Sequence, residues 1–184
     1  MARGEPLLNP NFTGDFRTFC APIAEAAKAR GIDYRINISS IFPKEAEAVD
    51  LVAAFSGFPV TIFWSLYSLD EKFRKRWLPK ASFPDETLKR LITWQQATSQ
   101  EVVIHHALIE GKNDRLCDYV AIRDFIRSSG LKARLNLVRY NSHGPKTGSE
   151  ASEEAYKASL DIIGRDLGIT GSRIVPRVGR DVAA

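Results

Sequence analysis

Cysteine is scarce in this chain. Its 184 residues hold two, Cys20 and Cys117, far apart in stretches that read as helical. Two isolated thiols build neither a disulfide framework nor a metal centre, and the plain expectation is a pair of buried, reduced side chains. Histidine is nearly as thin, at His105, His106 and His143. The first two are neighbours in a strand-like run, so one faces each side of the sheet, and a structural role is the default for both. His143 stands in a loop with no second histidine or cysteine at ligand spacing. Apolar runs are short, and the longest, around Phe58–Trp64, is strand-sized, which excludes a membrane-spanning segment. Residues 1–30 lack a signal peptide's pattern because Glu5, Asp15 and Arg17 interrupt it, so the expected compartment is the cytoplasm. No Pro/Ser/Gly-rich linker, repeat or low-complexity tract divides residues 1–184, which read as a single unit.

What is present is ordinary for a globular domain, with 44% hydrophobic and 26% charged residues. A net charge of +4 and an isoelectric point near 9.1 tolerate a polyanionic partner without establishing one. Helical and strand-like patterns alternate. A helix capped by Asn11 or Thr13 runs to about Arg30, with Phe16, Phe19, Cys20, Ile23 and Ala27 on one face and Gly31 as its stop. "YRINIS" (34–39) is a short strand, and Pro43 opens an Ala/Glu-rich helix that Gly57 ends. "FPVTIFWSL" (58–66) reads as a strand covered on both faces. A basic helix at 70–77 and a helix at 86–98 precede the strand "EVVIHHALI" (101–109). A helix at 115–129, the strand 133–140, a helix at 151–167 and a last strand at 172–178 complete the pattern. About five strands alternating with helices predict a parallel α/β fold, an open or partial β/α barrel, since a closed barrel needs more units than the chain holds.

In such folds ligands bind at the carboxyl ends of the strands. Those loops are Gly4–Asn9, Ser39–Ser40, Ser65–Tyr67, Glu110–Asp114 and Asn141–Gly144. They carry small polar side chains, one carboxylate and an asparagine, which suits a small zwitterion with hydroxyls: Glu5 for an ammonium group, Ser and Asn for carboxylate and ribose. Each residue also has a plain structural alternative. Gly4-Glu5-Pro6 is a turn, Ser39 and Ser40 are helix caps, and Asn113-Asp114 caps the following helix.

Taken in order, "MARGEPLLN", "RINISS", "FPVTIFWSLYSLDEKFRKRWLPKA", "ALIEGKND", "LNLVRYNSHGP" and "RIVPRVGRDVAA" resemble segments of the radical S-adenosylmethionine (SAM) enzymes. They are most similar to the RNA adenine methyltransferases of the RlmN/Cfr type. The resemblance runs along essentially the whole chain and implies a partial parallel β/α barrel missing its first strand or strands, with SAM as cofactor. It implies SAM contacts at Gly4 and Glu5 (methionine ammonium), Ser39 and Asn141 (carboxylate or ribose), and Ser65, Leu66 and Tyr67 (nucleoside wall). Tyr67 replaces the family's histidine.

The family's [4Fe–4S] cluster, which cleaves SAM reductively, needs three cysteines in a C-x3-C-x2-C loop. That loop and the family's C-terminal methyl-carrying cysteine have no counterpart here. The resemblance therefore implies the C-terminal portion of a radical SAM RNA (rRNA or tRNA adenine) C-methyltransferase-like enzyme, inactive alone. Its alternatives are a non-catalytic RNA- or nucleotide-binding relative, or another radical SAM activity. A sheet lacking its first strands also predicts self-association through an exposed edge.

"KFRKRWLPK" (72–80) either meets RNA phosphates through Lys72, Arg74, Lys75 and Arg76, or is an amphipathic helix with Phe73 and Trp77 inside and its cations in water. Arg173, Arg177 and Arg180 form a second basic group, close to substrate in the family the chain resembles.

Overall fold

The structure, a computed structural model, describes residues 4–142, 148–165, 167 and 170–176. Helices α1 (Pro10–Gly14) and α2 (Phe16–Ala29) precede strand β1 (Ile36–Ser40). Helix α3 (Leu51–Phe55) leads to β2 (Val60–Ser65), and α4 (Glu71–Trp77) and α5 (Pro84–Thr98) lead to β3 (Val102–Ala107). Helix α6 (Leu116–Ser129) leads to β4 (Ala133–Val138), and α7 (Glu153–Ser159) to β5 (Arg173–Ile174). The sheet takes its five strands in chain order and its register is parallel, as at Ile38↔Ile62 and Asn136↔Arg173. The predicted parallel α/β class is the observed one. The chain folds as two compact units: Gly4–Trp64 with Lys80–Val102, and Ser65–Pro79 with the residues from Val103 onward.

In the first unit, period-2 alternation divides β1 cleanly. Ile38 and Ser40 are buried while Asn37 and Ser39 are exposed. All six residues of β2 are buried, as its unbroken apolar run predicts. An aromatic cluster closes one side, with Phe16 edge-on to Phe12 at 4.9 Å, to Phe55 at 4.7 Å and to Phe58 at 5.4 Å. Such edge contacts add to the area each ring buries.

Two predicted helices are shorter than their patterns suggest. The first breaks at Asp15 (φ −137°, ψ 39°), next to the poor helix former Gly14, and Asn9 rather than Asn11 or Thr13 caps it, accepting from the Asn11 and Phe12 amides. Only Phe16, Cys20 and Ala27 of the expected face are buried; Phe19 is 61% and Ile23 52% exposed. The helix predicted from Pro43 is a single turn at Lys44–Ala46 followed by α3, because Asp50 Oδ1 accepts from the Val52 and Ala53 amides and starts a new helix there.

In the second unit β4 packs Ala133, Leu135 and Leu137 into the core. At the start of helix α6 Arg115 N and Nε both donate to Asp118 Oδ2, and the helix ends on Gly130 at φ 74°, a conformation open to glycine at no steric cost. The expected cap at Asn113-Asp114 is absent, since Asn113 is used elsewhere. Helix α7 widens into a π turn at Leu160–Gly164 rather than running to 167. A side chain at Gly164 would meet Leu160 and Ser172 at 3.0 Å. The last strand is two residues long, not seven. Val175 N still donates to Leu137 O at 2.8 Å, but Pro176 has no N–H to continue the ladder. Cys20 is buried as expected; Cys117 is exposed, on the outer side of the first turn of α6, whose periodicity buries Tyr119 and Ile122 instead.

Candidate functional site

The β1 strand end of the first unit is organised around Glu5. Its carboxylate caps the turn Pro6–Leu8 by accepting from Leu7 N at 3.2 Å, accepts from Ser40 Oγ at 2.6 Å, and takes Ile41 N on Oε2 at 3.1 Å. Ser40 is buried and its hydroxyl also accepts from Phe42 N at 2.7 Å. Phe42 lies at φ 55°, uncommon for an aromatic residue, and is wholly buried. Trp64 edge-on at 6.5 Å, the Arg90 guanidinium 5.3 Å above its ring and the bond from Ser82 N to Phe42 O at 2.7 Å hold it there. This strained residue turns the chain so that Ile41 N and Ser40 Oγ both face the carboxylate.

Of the expected ligand residues, Gly4 is exposed and lies at φ 121°, Glu5 is half-buried, and Ser39 is exposed on the face opposite Ser40. Ser40, Ile41 and Phe42 complete this corner. Alternation within "INISS" already buries Ser40 beside Ile38, whereas nothing in the sequence signals the left-handed Phe42. Neither serine caps a helix. Glu5 fits an ammonium ligand despite its internal bonds, because a carboxylate has about four acceptor positions and three are filled.

In the second unit, Ser65 and Leu66 are buried at the end of β2 and Tyr67 is half-buried. Burial raises the Tyr67 phenol above its ordinary value, and a hydrogen bond with Ser65 acts against that rise. Asn113 donates to Tyr67 O at 2.7 Å and to Ala107 O at 2.9 Å, and accepts from Ile109 N at 2.7 Å. At the end of β4, Asn141 is exposed and follows half-buried Tyr140, whose ring meets Trp77 edge-on at 6.2 Å. His143 lies outside the described residues.

His105 and His106 divide between the sheet faces as predicted. His106 is fully buried, and neither ring nitrogen has a hydrogen-bond partner among the described residues. Burial lowers it to about 4, with Asp118 opposing. His105 is half-buried and also lowered to about 4, by burial first and by the Arg134 charge second. Both are neutral at pH 7 and make poor proton carriers there.

The basic helix α4 splits by side. Lys72 and Arg76 are exposed, and Lys75 is exposed but pairs with Glu71 at 3.2 Å. Arg74 corrects the expectation of a phosphate contact: it is 8% exposed, its Nη1 donates to Ser68 O at 3.1 Å, and burial lowers its guanidinium. It lies one residue from Phe73 on the helix's inner side. Arg173 is exposed, and Arg177 and Arg180 lie outside the described residues.

An open groove of about 430 Å³ in the first unit is lined by Asp15, Arg17, Asp50, Ser56 and Phe58 among others and includes none of the expected ligand residues. No group of three or more His, Cys, Asp or Glu side chains among the described residues is placed to hold a metal ion. No helix among them is long and apolar enough to cross a membrane.

No protein-family model matches the chain. It is similar to a probable dual-specificity RNA methyltransferase RlmN 2 from Opitutus terrae, 30% identical over 128 residues, which are 68% of this chain and 29% of that protein. A probable dual-specificity RNA methyltransferase RlmN from Frankia alni is 29% identical across 100% of this chain and 42% of its own length. The chain thus spans less than half the length of these curated relatives. Among solved structures, a radical SAM methyltransferase from Sphaerobacter thermophilus superposes with a TM-score of 0.63 at 21% identity, covering 80% of this chain and 42% of that one. That likeness carries the fold.

Proposed function

Because the chain is a radical SAM, RlmN-like partial chain, we propose that its strand-end loops bind S-adenosylmethionine as part of an RNA adenine C-methyltransferase-like activity. The observation that carries this is Glu5. A carboxylate held by Ser40, Ile41 and Leu7 at a β1 strand end, with an acceptor position to spare, supports recognition of an ammonium group. Gly4 O and Glu5 take the methionine ammonium, Ser39 and Asn141 the carboxylate or ribose, and Ser65, Leu66 and Tyr67 the nucleoside. Lys72 and Arg76 on α4, with Arg173, meet RNA phosphates. Arg177 and Arg180 join them in this proposal, and Lys75 contributes once released from Glu71. A cytoplasmic location and self-association of the isolated chain belong to the same proposal.

The residues present do not fit a [4Fe–4S] cluster. Three thiolates are needed, and the 184 residues hold two cysteines, one buried on α2 and one exposed on α6. No radical step is assigned to this chain by itself. That same cysteine count favours a second reading, a relative that binds RNA or a nucleotide without catalysis.

Titration of the chain with SAM, with S-adenosylhomocysteine and with ATP, together with RNA binding at several salt concentrations, tests both. Saturable binding of SAM in preference to ATP and salt-dependent RNA binding are expected. Absence of SAM binding overturns the first reading, and absence of both SAM and RNA binding overturns the second as well.

A further inference from the structure

Asn113 stands between β3 and α6, in the stretch "GKND" whose sequence suggests a helix cap. The first turn of α6 is served by Asp118, whose carboxylate accepts from Arg115 N, Nε and Nη2 at 2.9 to 3.2 Å. Asn113 is instead wholly buried, and its amide is fully engaged. Both Nδ2 protons go to carbonyl oxygens, of Tyr67 at 2.7 Å and Ala107 at 2.9 Å, and Oδ1 accepts from Ile109 N at 2.7 Å. One side chain therefore ties the end of β3 to the segment that leaves β2. The Tyr67 carbonyl, turned toward Asn113, fixes the peptide plane that follows Tyr67 and so the backbone from which the Tyr67 ring projects.

We propose that Asn113 is a positioning residue for the ligand-binding segment Ser65–Tyr67. It touches no ligand; it holds the Tyr67 carbonyl, and through it the backbone that carries the Tyr67 ring at the end of the segment. The proposal rests on the SAM reading above. A neutral amide is required because the two acceptors are carbonyls and the donor is an N–H, a set that no carboxylate or hydroxyl of similar size satisfies.

The test is SAM affinity of the 184-residue chain and its Asn113→Asp variant, measured by calorimetry at pH 7.5 and pH 5.5. Aspartate keeps the shape and the acceptor for Ile109 N but sets a carboxylate oxygen against two carbonyls; protonation returns one donor. The expected result is a loss of about tenfold in affinity at pH 7.5. Relative to the unsubstituted chain at the same pH, part of that loss returns at pH 5.5. A brace that only supports the fold lowers the melting temperature and leaves affinity unchanged, and that outcome overturns the proposal. A second measurement needs no variant: the Asn113 side-chain amide protons, followed by NMR, exchange more slowly when SAM saturates the chain. Unchanged exchange on saturation overturns the positioning role while leaving the SAM reading standing. If the unsubstituted chain binds no SAM, both fall together.

Discussion

Ser40 Oγ donates to Glu5 Oε1 at 2.6 Å, joining residues 35 apart in the chain and closing the β1 strand end of the first unit. Glutamine at position 5 keeps one carbonyl acceptor but turns an amide toward Ile41 N. Glu5→Gln is therefore expected to destabilise the chain by about 1–3 kcal/mol, the range for a charged hydrogen bond with a partner left unmet. Ser40→Ala acts through the same contact. A double-mutant cycle in urea should give a coupling of about 0.5–3 kcal/mol; additive losses would mean that the two residues stabilise the fold separately.

Arg74 and its neighbours on α4 should separate by assay. Arg74→Met leaves the Ser68 carbonyl without its donor, so thermal stability falls by about 1–3 kcal/mol. Lys72→Ala and Arg76→Ala leave stability within about 0.5 kcal/mol, weaken RNA binding and reduce its salt slope by about 1 for each cation removed. RNA binding that depends on Arg74 but not on Lys72 or Arg76 would contradict this division.

The two strand histidines set an acid limit. Each has a folded value near 4, below the 6.5 of the unfolded chain, so the unfolded state binds more protons between those values. Their contribution is complete above pH 6.5 and is lost as pH falls from 6.5 toward 4. For His106, with only Asp118 opposing its burial, the loss is on the order of 3 kcal/mol; for half-buried His105 beside Arg134 it is smaller. Urea unfolding at pH 7.5, 6 and 5 reads the slope. His106→Leu should flatten it, and an unchanged slope in that variant would remove His106 as the cause.

The course of the chain was largely legible because its strands announce themselves. The apolar run 58–66, the alternation in "INISS" and the stop at Gly130 each follow from local chemistry, and the element order needed nothing else. Helix ends were less legible. Asp50 starts α3 because its carboxylate meets two amides, while the composition of 43–57 suits one continuous helix. At the candidate site the same limit appears twice. Glu5 and Ser39 are visible as strand-end polar residues, but Ser40, Phe42 and Asn113 act through contacts with distant or backbone groups. A short motif gives the residue type and not its partner, so "GKND" suggests a cap where the fold makes a brace.

Self-association is expected from the sequence through an exposed sheet edge, and the structure adds exposed apolar side chains on α2 as a second surface for it. Phe19 and Ile23 lie on the same side of the helix at 61% and 52% exposure. Sedimentation velocity should show a mass that rises with concentration, reduced in a Phe19→Ser, Ile23→Ser double variant. A monodisperse monomer across the range would contradict it.

The most direct measurement is a titration of the 15N-labelled chain with SAM, following backbone amides. Binding at the strand ends predicts saturable shifts at Glu5, Ser39 to Ile41, Ser65 to Ser68 and Asn141, with small or no shifts at Asp15, Arg17 and Ser56 in the groove. Shifts confined to that groove, or no shifts at millimolar SAM, would contradict the account.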